Sequence, residues 1–145
     1  MRALGIDLGS KRIGVAVSDR TGTIASPLSV LQRTGSVARD HEAIRNLVVE
    51  EEAQAVVVGL PLNMNGTLGP AAQAAVREAQ ALSTVVGVPV TTFDERRTTV
   101  TADQAMMEAR MNAQARRRVV DKVAAAVMLQ HWLDAGRPGG PTEAG

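Results

Sequence analysis

The stretch ALGIDLGSKRIGVAVS, residues 3 to 18, decides how the chain folds. Leu4, Ile6 and Leu8 alternate with small or polar residues, and Ile13, Val15 and Val17 repeat the pattern after a short break. Successive side chains of a strand point to opposite faces, so this period of two marks a pair of half-buried strands. Gly5, Asp7, Gly14 and Ala16 then occupy the other faces, and Gly9, Ser10 and Lys11 form a connection suited to a hairpin.

Outward from the hairpin, a third strand is predicted over Ile24 to Leu31, with Pro27 placing it at an edge or a bulge. Between Gly35 and Glu52 the pattern turns helical: Val37, Ile44, Leu47 and Val48 recur near a 3.6 period, while Arg39, Glu42, Arg45 and Glu52 are polar. The run AVVVGL, Ala55 to Leu60, is apolar throughout. It reads as a central strand covered on both faces and reached by a parallel crossover. The segment GLPLNMNG closes it as a loop, and Pro70 opens a second helix to Val86 with Gly87 just beyond its end. Pro89 to Phe93 is a fifth strand. Thr101 to Gln104 matches a capping box for a short helix ending near Met111, and Asn112 can cap a last helix to Leu133.

Three antiparallel strands followed by helix, strand, helix, strand and helices is an RNase H-like plan. The expected fold is α/β, with a five-stranded mixed sheet, three strands antiparallel and two parallel, flanked by helices. Residues 1–135 form one domain, and GRPGGPTEAG, residues 136–145, reads as a disordered tail.

A chain of 145 residues can bury roughly two thirds of its unfolded surface without disulfides or a structural metal. Its aromatics are only Phe93 and Trp132, so modules that grip single strands by stacking bases on rings are disfavoured. Cysteine is absent, which removes disulfides, thiolate nucleophiles and cysteine-based zinc sites. His41 and His131 stand apart from other candidate ligands and read as surface or rim residues. Asp7 interrupts the N-terminal apolar run, and no stretch approaches the roughly 20 apolar residues of a membrane span. A cytoplasmic protein is expected.

Asp7 lies inside an otherwise apolar strand, where a charge is costly unless paired or bound to a cation. It is a candidate metal ligand, or else caps the following turn. FDERRTT, residues 93 to 99, puts two acids and two arginines at the end of the fifth strand, where ligands gather beside α/β sheets. Asp94 and Glu95 should face opposite ways, and Glu95 is the better second ligand; a surface ion-pair cluster is the alternative. Asp121 precedes Ala124, Ala125 and Met128 on one helical face, where alanines permit close approach to a sheet. It can enter a cleft lined by Asp7, or it is a boundary residue of the helix face paired with Lys122 or Arg118.

Three carboxylates without histidine suit hard cations such as Mg²⁺ or Mn²⁺. Two such ions about 3.5 to 4 Å apart would serve in-line phosphodiester hydrolysis without a covalent nucleophile. Net charge is only +1, yet half of the 16 basic residues fall beside these acids: Lys11, Arg12, Arg96, Arg97, Arg116, Arg117, Arg118 and Lys122. Backbone phosphates are their natural partners, a solvated face the alternative. Arginines in the first turns of a helix oppose its dipole unless an anion is near.

With these residues assembled, the chain resembles the YqgF (RuvX) family of pre-16S rRNA nucleases and Holliday junction resolvase-like proteins. The resemblance spans residues 3 to 134 and rests on GIDLGSKRIGVAVSD, VVVGLPLNMNG, DERRTT and VDKVAAAVMLQHWL, in that order. It implies an RNase H-like nuclease whose carboxylates correspond to Asp7, Glu95 and Asp121, and a role in maturing ribosomal RNA. It further implies that the turn from Asn63 through Asn65 to Gly66 lines the cleft and that Thr98 bonds a phosphate or caps the next helix. Leu8 stands where the family often has an aromatic, and Arg97 where a leucine is usual. Neither departure removes a proposed ligand.

The first block also looks like the phosphate-binding hairpin of the actin, Hsp70 and sugar kinase superfamily, but such enzymes close a cleft between two related domains and this chain supplies one. A non-catalytic protein that binds structured nucleic acid or a ribosome-associated partner fits the composition too. Pre-rRNA and four-way DNA both present closely spaced phosphates, and paired incision of a junction would require a homodimer rather than a monomer.

Overall fold

The computed structural model describes residues 1–61, 67–94 and 113–136, and for residues 113–122 the backbone alone. Among the described residues five strands and three helices follow one another: β1 (Ala3–Leu8), β2 (Arg12–Ser18), β3 (Ala25–Gln32), α1 (Val37–Glu50), β4 (Ala55–Leu60), α2 (Pro70–Val86), β5 (Val90–Asp94) and α3 (Ala113–Asp134). The sheet runs in the order β3-β2-β1-β4-β5. Strands β1, β2 and β3 are antiparallel neighbours, whereas β4 runs parallel to both β1 and β5. This is the mixed sheet expected from the sequence.

Each sheet face carries its own core. Leu4, Ile6, Ile13, Val15, Val56 and Val58 pack with Ile44 and Val48 of α1 and Ala79, Leu82 and Val86 of α2. Ala3, Ala16, Ala55, Val57 and Phe93 pack on the other side with Ala125, Met128, Leu129 and Trp132 of α3. Strands that alternate large with small residues thus meet two helices on the bulky side and one closely approaching helix on the small side. Gly5 marks the tightest approach: a Cβ there would lie 2.8 Å from Leu129 Cβ and 3.2 Å from the Ala125 carbonyl oxygen.

Pro27 satisfies both of its options. Strand β3 is an edge, and its pairing with β2 shifts at Val15 and Ala16, which face Ser29 and Pro27 with Leu28 left over. Helix α1 is capped by Ser36, whose side chain accepts from the Arg39 N–H, and α2 ends at Gly87 with φ of 74°, a left-handed turn that glycine adopts without strain.

Val37, the first residue of α1, is 52% exposed, because it precedes the turns that pack on the sheet. One expectation needs correction. His41 is not a surface residue but is buried at 2% exposure. It lies three residues before Ile44 and seven before Val48, on the buried stripe of α1, and it finds a polar partner there. The predicted helix from Thr101 to Met111, the cap at Asn112 and the tail lie outside the described residues. Among the described residues no helix is long and apolar enough to cross a membrane.

Candidate active site and nucleic-acid interface

Asp7 occupies the penultimate position of β1, half-buried, on the face covered by α3. Its partner across the antiparallel ladder is Gly14. On the parallel side, Gly59 follows Val58, the partner of Ile6. The carboxylate therefore stands in a row whose neighbours have no side chains, which leaves lateral room beside a hard oxygen donor.

The course of α3 relates this position to the distal part of the chain. Gly5 lies against Ala125 and Leu129. Gln130 accepts at 2.8 Å from the N–H of Ala25, and Ala25 pairs with Ser18, whose hydroxyl accepts from the N–H of Ala3 at 2.8 Å. Moving from residue 125 to residue 130 along the helix thus moves from Gly5 back to the start of β1, so α3 runs antiparallel to that strand. The preceding helical turn, with Asp121, lies toward the Asp7 end. A turn of helix rises 5.4 Å and two strand residues span about 6.6 Å, so the two progressions keep step.

Asp94 is the last residue of β5, opposite Leu60. Phe93 packs in the α3-side core, so alternation turns Asp94 toward the other face. Glu95, Arg96, Arg97, Thr98, Asn63 and Asn65 lie outside the described residues, as do the side chains of Arg116, Arg117, Arg118, Asp121 and Lys122. Lys11 is exposed in the turn after β1, and Arg12, half-buried, begins β2. Among the described residues no three acids or histidines form a metal-binding group.

Behind the turn lies a polar cluster that the sequence reading did not assign. Arg33, just past β3, donates through both terminal nitrogens to Glu78 of α2, at 2.8 and 3.0 Å, and through Nε to the Gly9 carbonyl at 2.8 Å. His41 Nε2 lies 2.9 Å from Glu78 Oε2, and Asp40 Oδ2 lies 3.7 Å from the same guanidinium. Asp40 accepts from the N–H and hydroxyl of Thr34 at 3.0 and 2.9 Å. Burial pushes the carboxyls of Asp40 and Glu78 up, but other contacts outweigh it and hold both below the usual range: the Thr34 bonds and the Arg33 charge for Asp40, and bonds from Arg33 and His41 for Glu78. The Glu78 bond raises the Arg33 pKa further above its ordinary value. The signal that could have revealed the cluster is helical spacing, since His41 shares the stripe of Ile44 and Val48, and Glu78 adjoins that of Ala75, Ala79 and Leu82.

Comparison with known proteins adds a lineage to this geometry. A family model described as RuvX, Holliday junction resolvase, matches residues 1–135. A Myxococcus xanthus protein named "Putative pre-16S rRNA nuclease" is 46% identical over 138 residues, covering 95% of this chain and 91% of its own. A Moorella thermoacetica protein of the same name is 46% identical over 134 residues, covering 92% and 95%. Among solved structures, Thermus thermophilus RuvC in complex with a Holliday junction substrate superposes with a TM-score of 0.60 at 21% identity, covering 95% of this chain and 96% of that one. A second T. thermophilus RuvC structure gives 0.57 at 17% identity, covering 94% and 98%. These two likenesses establish the RNase H-like, resolvase-type fold.

Proposed function

Because this chain belongs to the RuvX family, we propose that it is a nuclease that hydrolyses phosphodiester bonds of structured nucleic acid, with precursor 16S rRNA as substrate. The observation that carries the reading is Asp7, a carboxylate on an apolar strand, flanked by Gly14 and by the Gly59 position, on the face that α3 covers.

Asp7, Glu95 and Asp121 are the proposed ligands of Mg²⁺ or Mn²⁺. Oxygen-only donors and the glycine-lined space beside Asp7 fit a hard ion that keeps several waters. The orientation of Phe93 toward α3 and of Asp94 away from it supports Glu95 as the acid from this segment. The antiparallel run of α3 supports Asp121 as the third. Divalent ions bound there would polarise the scissile phosphate and lower the pKa of a coordinated water. The chain's own task is positional. Strand β1 fixes Asp7, while Lys11 at the exposed turn and half-buried Arg12 at the start of β2 would offer cationic contacts to backbone phosphates, and Arg96, Arg97, Arg116, Arg117 and Lys122 would extend that surface. Asn63, Asn65 and Thr98 would supply neutral hydrogen bonds to the sugar-phosphate backbone.

The test compares the purified chain with Asp7→Asn on a structured pre-rRNA fragment and on a four-way DNA junction, at matched salt and with Mn²⁺ or Mg²⁺. Expected is metal-dependent cleavage of the RNA by the parent. The variant should lose at least about a hundredfold in rate while its affinity for the RNA changes little. Equal rates in parent and variant would end the proposal. Preferential cleavage of the junction, together with a dimeric mass, would move the substrate to branched DNA, as the description of the family model favours.

A further inference from the structure

We infer that Arg33 is a positioning residue of the proposed active site, clamping the turn that follows Asp7 from the opposite side of the sheet. The inference rests on the nuclease reading above. Its ground is that Arg33 grips both ends of this turn. Its backbone N–H donates to the Lys11 carbonyl at 2.9 Å, and its Nε donates to the Gly9 carbonyl at 2.8 Å. The turn itself is closed by the Gly9 N–H donating to the Arg12 carbonyl at 2.9 Å. Gly9 has no freedom to carry a side chain, since a Cβ would lie 2.5 Å from that same oxygen.

Each terminal nitrogen of the guanidinium gives one bond to Glu78, at 2.8 and 3.0 Å, and Glu78 also meets His41 of α1. A guanidinium is planar and its donors keep fixed relative directions. Fixing two of its nitrogens on the α2 carboxylate therefore fixes where the third can place the Gly9 carbonyl. The position of the two helices on one face is thereby passed to the strand end that carries Asp7 toward the other, and to Lys11 and Arg12, the proposed phosphate contacts. A lysine could keep the attraction to Glu78 but could not hold that carboxylate in bidentate fashion and the Gly9 carbonyl at once. Exposed hairpin turns are otherwise held only by their own ladder and fray readily. A metal ligand two residues from such a turn needs more restraint, because displacement by about an ångström can cost a hundredfold in rate.

The experiment compares Arg33→Lys with Val48→Ala, a core truncation in α1 whose side chain can form no hydrogen bond to the turn or its clamp. Thermal unfolding, kcat and KM on the structured RNA, and hydrogen exchange of the Gly9 amide are measured for both. Arg33→Lys is expected to lower kcat about tenfold or more with KM changed less than about twofold, and to speed Gly9 exchange about tenfold. Val48→Ala should lose stability yet keep the parental kcat and Gly9 exchange. Should Arg33→Lys not fold, Glu78→Gln, which loosens the guanidinium without removing it, is expected to shift both readouts in the same direction. A folded Arg33→Lys with parental kcat and Gly9 exchange overturns the inference, as does an equal loss of kcat in Val48→Ala. If the parent cleaves no nucleic acid, the nuclease reading falls, and Gly9 exchange still decides whether Arg33 holds the turn.

Discussion

Replacing Gly5 by alanine tests the close approach of α3 to β1. The added Cβ would sit 2.8 Å from Leu129 Cβ and 3.2 Å from the Ala125 carbonyl oxygen. Carbon atoms settle at about 3.5 to 4.0 Å, so the first contact is about 1 Å short. Rotating the Leu129 side chain gives no relief, because its Cβ is fixed by the helix backbone. The helix itself must move. Overpacking of this kind costs about 1 to 3 kcal/mol, and the lower backbone entropy of alanine in the unfolded chain returns about 0.5 to 1 kcal/mol. The net loss is about 1 kcal/mol at the middle of these ranges and about 2.5 kcal/mol at most. For a domain of this size about 1 kcal/mol lowers Tm by roughly 3 °C, measurable by calorimetry. Activity should suffer more than stability. Asp7 is two residues on along the same face and Asp121 one helical turn before Ala125, so displacing α3 widens the separation between the proposed ligands. At 25 °C, where parent and variant are both folded, the variant's metal-dependent cleavage should fall about tenfold or more. A Tm at or above the parental value with unchanged cleavage would refute the argument.

Acid should weaken the fold through three carboxyls held below their ordinary range. Asp40 and Glu78 are held there by the Thr34 and Arg33 contacts, and Asp19 falls from 3.8 to about 2 through bonds from Thr23, Thr21 and Ile24. A lowered folded pKa favours the ionised native state, so this stability is complete above the unfolded values near 4 and is lost as pH falls through the folded ones. Urea unfolding should be level from pH 7 to about 5 and decline toward pH 2, and a flat profile to pH 2.5 would contradict the assignment. Ser36→Ala removes the cap on Arg39 N–H and should cost about 1 kcal/mol, read as a lower urea midpoint with an unchanged m-value.

The parts of the fold written in local pattern were legible. Apolar alternation gave the β1–β2 hairpin, the AVVVGL run gave the central strand, and Pro70 with Gly87 bounded α2 to the residue. Pro27 could announce an edge or a bulge, yet only pairing with β2 revealed that both hold. His41 was misjudged because a histidine's burial depends on a partner 37 residues away, Glu78, that no local pattern supplies. Arg33 was overlooked for the same reason, since three of its bonds reach Gly9 and Glu78 across the sheet and helices. Asp7 was legible as a charge out of place in a hydrophobic strand. The glycine neighbours that make room for it became visible only with the strand register.

The antiparallel path of α3 over β1 also sets the order in which this protein is completed. Translation delivers β1 first and α3 last of the described elements, so a nascent chain has Asp7 long before the helix that covers its face. The small-residue side of the sheet, with Ala3, Ala16 and Val57, remains bare until then. The face that carries Asp7 is therefore closed over only once the last described helix has been made, so its burial is the latest step in the growth of the sheet's surroundings.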